Sequence, residues 1–138
     1  MGLGIAIAVS PQGKPSDHQN FNLDREISID EWEALFHTEL QVPDLLATEG
    51  ESFNEFENRR AVTFQTIMSE KGYKMFGRIC YIFRDVFYQP SEVRELLDEC
   101  LRLKETTSDS LAVTALTSLI EACHQALRVN SGIWLVSD

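Results

Sequence analysis

Residues 90–136, PSEVRELLDECLRLKETTSDSLAVTALTSLIEACHQALRVNSGIWLV, decide the fold class of this 138-residue chain. Pro90 and Ser91 followed by Glu92 open a helix, since proline is pre-set for the first helical position and acids suit the first turn. Val93, Leu96, Leu97, Cys100, Leu101 and Leu103 recur at helical spacing through Lys104 and mark its buried face. Thr106, Thr107 and Ser108 form a polar loop, and Ser108 or Asp109 caps a second helix. That helix buries Leu111, Val113, Leu116, Leu119, Ile120, Cys123 and Leu127 and ends at Asn130-Ser131-Gly132. Ile133-Trp134-Leu135-Val136 follows at once as a short dry strand. Two helices feeding directly into a strand make an α+β packing unit. Leu116, Ile120 and Leu127, with Val93, Leu97 and Leu101, are the expected helix–helix seam.

Working outward, Leu3–Val9 alternates large and small apolar side chains, as a strand does with Ile5, Ile7 and Val9 on one face and Ala6 and Ala8 on the other. The turn cluster Ser10-Pro11-Gln12-Gly13 ends it, and a polar, exposed loop is expected through Asn22. Ser28-x-x-Glu31 is a capping box, with Ile27 placed for a hydrophobic staple. The helix it opens carries Ile29, Trp32, Leu35, Phe36 and Leu40 as one stripe and stops before Pro43. A further helix from about Glu49 to Lys71 is favoured, with Phe53, Phe56, Phe64, Ile67 and Met68 inward and Gly72 as its C-terminal cap, a strand over Ala61–Met68 being the alternative. Tyr73–Tyr88 scores for both periods; Arg78–Phe83 has strand composition, and at least one strand is expected there. With neither repeat nor linker, residues 1–138 read as a single globular α+β domain. A small sheet including the N- and C-terminal strands packs against three to four helices.

Charge is the most uneven property of the chain. Residues 17–57 hold twelve acids and one base, Arg25, a net charge of −11; the remaining residues hold eleven bases and ten acids. Part of this acidity is an ordinary solvated helix face. The rest marks Asp24, Glu26, Asp30, Glu33, Glu49, Glu51, Glu55 and Glu57 as candidate partner-binding residues. The same field repels phosphates, so neither nucleic acid nor membrane is the expected partner. Arg78 and Arg84, with Lys71 and Lys74, form a small basic cluster whose simplest role is pairing with acids of the same chain.

Catalytic and metal-binding chemistry finds little footing. Glu121-x-x-His124 is half of a di-metal motif without its second half, and Glu33-x-x-x-His37 has the wrong spacing. Asp24, Glu26, Ser28 and Asp30 imitate a calcium loop, but Ile29 occupies the obligatory glycine position. Cys80, Cys100 and Cys123 form no CxxC pair, and the latter two fall on apolar helix positions where a thiol is a small buried hydrophobe. No nucleophile elbow or phosphate loop is present. No cofactor and no enzymatic activity are expected. Tyr88 and Trp134 are candidate interface anchors, with core positions the simpler reading. Leu3–Val9 fits neither a signal peptide nor a membrane helix, and free cysteines suit a reducing compartment, so a cytoplasmic location is expected.

In size, acidity and α+β pattern the whole chain resembles the immunity proteins that neutralise toxic enzymes in bacteria. The resemblance is one of gross properties and carries over no residue. It implies a small acidic inhibitor of a basic protein such as a nuclease. The alternatives are a small enzyme whose site has no recognisable motif and a structural subunit of a homo-oligomer or complex.

Overall fold

The computed structural model describes residues 2–8, 25–43, 45–79 and 85–137. Among them, β1 (Gly2–Ala8), β2 (Arg25–Ser28), β3 (Val86–Tyr88) and β4 (Gly132–Ser137) form an antiparallel sheet in the order β2-β1-β4-β3. The N- and C-terminal strands are the central pair, with Ile5 opposite Leu135 and Ile7 opposite Ile133. Directly opposed residues share a face. Register therefore places Ile5, Ile27, Val86, Tyr88, Ile133 and Leu135 together, and all but Val86 are fully buried. The other face carries Gly4, Phe87, Trp134 and Val136, with the Phe87 and Trp134 rings 5.2 Å apart. Gly132 has no substitute: a Cβ there would collide with the Tyr88 carbonyl and the Phe87 ring.

Helices α1 (Ile29–Glu33), α2 (Phe53–Glu70), α3 (Pro90–Thr106) and α4 (Ser110–Arg128) complete an α+β fold. α4 lies across β1, β2 and β4 and packs along α3, so the core sits between this helix pair and the large-residue face of the sheet. Its N-terminus is capped by Asp109, whose Oδ1 accepts from Leu111 and Ala112 N–H. In α3, Glu92 accepts from the Gln89 N–H at 2.9 Å and Pro90 fills the first turn.

Several expectations need correction. Arg25–Ser28 is a strand rather than the approach to a helix, and Ile27 is a core residue of the sheet. The capping box forms as expected, through Glu31 N–H to Ser28 Oγ and Ser28 N–H to Glu31 Oε2. The helix it starts does not run straight to Pro43: after Glu33 it widens into a π-helix over Ala34–Glu39, closed by Leu40 N–H to Leu35 O. Three successive residues there, Ala34, Leu35 and Phe36, are all buried, a wider arc than a one-sided 3.6-residue stripe covers. Leu101 and Leu111 were assigned to the buried faces of α3 and α4, yet stand 41% and 46% exposed. Each lies at the margin of its apolar stripe. Leu127 and Val113 are half-buried. The strand expected within Tyr73–Tyr88 is present as β3, while Arg78 belongs to a 3₁₀ turn, Phe76–Arg78. The Ser10–Gly13 turn, the loop through Asn22, Cys80 and the strand-like run up to Phe83 lie outside the described residues.

α2 begins at Ser52, whose Oγ accepts the Glu55 N–H at 3.2 Å. It ends at Gly72, with φ of 88°, where Tyr73 N–H reaches back to Met68 O and Gly72 N–H to Ser69 O. Its buried residues, Ala61, Phe64 and Met68, all lie from its middle onward. There Phe64 joins Trp32, Phe36 and Phe76 in an aromatic cluster with centroid separations of 4.3 to 6.3 Å.

Candidate functional site

The acidic residues fall in two groups. Glu26 stands on the edge strand β2, and Asp30 and Glu33 on α1; all three are exposed. Asp30 and Glu33 are three residues apart and so share a helix face. Glu49 and Glu55 are exposed on the loop before α2 and on its first turn, and Glu57 is half-buried. Asp24 lies outside the described residues. Two other acids of the segment serve the fold: Glu31 closes the capping box, and Glu39 Oε1 accepts from Ser108 N–H, Ser108 Oγ and Asp109 N–H ahead of α4.

Glu51 differs from its neighbours. Arg59 donates to it twice, Nε to Oε2 at 2.9 Å and Nη2 to Oε1 at 3.0 Å, and Thr48 N–H donates to Oε1 at 3.0 Å. Arg59 Nη2 also donates to Leu46 O at 2.7 Å. The Arg59 hydrogen bond, followed by that of Thr48, lowers the Glu51 carboxyl to about 2. The same pair raises Arg59 above its ordinary value. Glu51 N–H to Thr48 O and a left-handed Gly50, φ 81°, complete the turn. This clasp fixes the 46–51 loop against the first turns of α2, so Glu51 is a builder of the acidic surface rather than a free member of it.

From Pro43 to Arg60 no described residue is buried. This stretch therefore projects beyond the core while holding its own shape through polar ties. It displays the two most exposed large apolar side chains of the described residues, Leu46 at 82% and Phe53 at 71%. Phe53 was expected inward. At the first turn of α2 it stands ahead of the point where the helix meets the core, so helical spacing alone cannot bury it.

Sequence reasoning missed the most buried charged residue among those described, Glu99, which is 6% exposed. Its Oε2 and Oε1 accept from Met75 N–H at 3.0 Å and Phe76 N–H at 2.7 Å, satisfying the start of the 3₁₀ turn. Tyr88, fully buried as the simpler reading held, donates its hydroxyl to Met75 O at 2.6 Å. Arg78 lies over the Tyr88 ring at 4.8 Å, donates to Glu92 at 2.7 Å and covers the Phe87 carbonyl at 2.9 Å on the edge strand. Burial pushes the Glu92 carboxyl up, but the Gln89 N–H and the Arg78 guanidinium together hold it below its ordinary value. Arg102 similarly lies over the Tyr73 ring at 5.0 Å and donates to Gly72 O. The signal for this cluster was the placement of Glu99 between Leu96, Cys100 and Leu103 on the α3 stripe. Its groups satisfy one another and tie residues 72–79 to α3 and β3.

Cys100 and Cys123 are free and buried. Burial pushes the Cys100 thiol well above its ordinary value, and that of Cys123 up to about 12, which removes both as nucleophiles at neutral pH. His37 Nδ1 lies 3.1 Å from Val42 O, while Glu121 and His124 face outward on α4. Among the described residues no three His, Cys, Asp or Glu side chains converge as a metal site, and no helix is long and apolar enough to cross a membrane. The chain matches no protein-family model, no curated protein and no solved structure.

Proposed function

We propose that this protein is a small acidic binding protein, acting in the cytoplasm without a cofactor, that docks on and inhibits a basic protein such as a toxic nuclease, as immunity proteins do. The observation that carries this reading is the exposure of Glu26, Asp30, Glu33, Glu49 and Glu55 within a segment of net charge −11. Such a field raises the encounter rate with an oppositely charged protein and makes that rate salt-sensitive. Glu57 adds to the field from a half-buried position, and Asp24 from its place in the sequence. Glu51 supports the surface from beneath.

The test is a charge-neutralised variant in which Glu26, Glu33, Glu49, Glu55 and Glu57 become Gln and Asp30 becomes Asn. Basic proteins retained by the wild type from its host and released by salt are identified, purified and assayed for association. The variant should associate roughly tenfold or more slowly at low salt, with a flattened salt dependence and an unchanged or higher melting temperature. Equal rates for the two proteins at low salt would dismiss the acidic surface as a binding face.

A further inference from the structure

No described residue between Pro43 and Arg60 is buried, yet the stretch is braced throughout by polar ties of its own. The Glu51–Arg59 pair, the Thr48 N–H, the Leu46 carbonyl, the left-handed Gly50 and the Ser52 cap all act within it. Arg59 and Arg60 also lie over the Phe56 ring at 5.5 and 5.3 Å. Bracing a projection does not stabilise a core; it removes the ordering cost that a flexible loop incurs on binding. Within it two large apolar side chains, Leu46 and Phe53, face water, as do the carboxylates of Glu49 and Glu55.

We infer that residues 45–60 are a pre-organised docking element that places Leu46 and Phe53 against an apolar patch on a basic protein. Glu49 and Glu55 pair with the lysines or arginines around that patch. This rests on the acidic-surface reading and adds its apolar anchors. Charge selects the occupant: a second copy brings its own net charge of −10, and an anionic bilayer is repelled by the same carboxylates. Buried apolar anchors inside a polar rim are the usual arrangement of a protein interface.

Two synthetic peptides of equal positive charge serve as probes, one with leucine and lysine at helical spacing and one with each leucine replaced by glutamine. Titration calorimetry compares the wild type with three variants: Leu46→Ser/Phe53→Ser, Glu49→Gln/Glu55→Gln, and Leu101→Ser/Leu111→Ser as a control for exposed apolar residues elsewhere. The wild type should bind the leucine peptide roughly tenfold more tightly than the glutamine peptide. Leu46→Ser/Phe53→Ser should erase that preference at an unchanged melting temperature, and the control should retain it. Wild-type affinity of Leu46→Ser/Phe53→Ser for the leucine peptide overturns the inference. In that event, weakened binding of both peptides by Glu49→Gln/Glu55→Gln leaves the acidic-surface reading standing, and unweakened binding removes it too. A lowered melting temperature of Leu46→Ser/Phe53→Ser would show that these side chains serve the fold and also overturns it. So would a concentration-dependent dimer relieved by the double variant, or binding of the wild type to anionic vesicles.

Discussion

Replacing Glu99 by Ala probes a buried carboxyl group on which a whole turn depends. Its two oxygens accept the Met75 and Phe76 N–H groups at 3.0 and 2.7 Å, in a site closed by α3 and by Tyr88. Removing them leaves two buried donors unsatisfied, each costing about 1–3 kcal/mol, so the expected destabilisation is about 2–6 kcal/mol. That is a large fraction of the 5–15 kcal/mol typical of a domain. Glu99→Gln retains one acceptor and turns an amide N–H toward the other donor, so it should fall between Ala and the wild type. Tyr88→Phe removes the hydroxyl bond to Met75 O and should cost about 1 kcal/mol alone. Since Tyr88 and Glu99 hold the same turn, the double variant should be non-additive by at least about 0.5 kcal/mol. Urea denaturation followed by circular dichroism gives all four free energies, and hydrogen exchange should show the Met75 and Phe76 amides losing protection first. A loss below about 1 kcal/mol for Glu99→Ala, with additive Tyr88→Phe, would refute the reasoning.

Other outcomes follow from the same geometry. The folded Glu51 carboxyl, held near 2 by Arg59, titrates below its ordinary value of 4.5. Its contribution is therefore complete above about pH 4.5 and disappears as the pH falls toward 2. Glu51→Gln should be less stable than the wild type at pH 7 and equal to it near pH 2, in parallel melts across that range. Leu116→Ala should cost about 2–5 kcal/mol, whereas Leu101→Ala, at a 41% exposed position, should cost under about 1 kcal/mol by the same denaturation assay. N-ethylmaleimide at pH 8 should label Cys100 and Cys123 only after unfolding, as read by peptide mass spectrometry; rapid native labelling would place either thiol at the surface.

Local rules settled whatever depends on neighbours a few residues away. The capping box at Ser28 and Glu31, the cap at Asp109, the helix stop at Gly72 and the helix pair leading into β4 were all legible, because each is set by spacing along the chain. So was the presence of a strand at each end, since an unbroken apolar run there has nowhere else to be buried, but their place as the central pair came only from the tertiary structure. Arg25–Ser28 was illegible because four residues carry almost no periodicity, and their strand exists only through pairing with β1. The π-helix at Ala34–Glu39, in which three consecutive apolar residues are buried, left no mark in the local spacing. Leu101, Leu111 and Phe53 show the same limit from the other side: spacing names a stripe, but only the neighbouring element decides where along it burial ends. The acidic third was visible as a count. The fold divided those acids, assigning Glu31, Glu39 and Glu51 to caps and clasps and leaving Glu26, Asp30, Glu33, Glu49 and Glu55 in water. A carboxylate's role is fixed by the donors that come within 3 Å of it, and for Glu39 and Glu99 those lie 69–70 and 23–24 residues away in the chain.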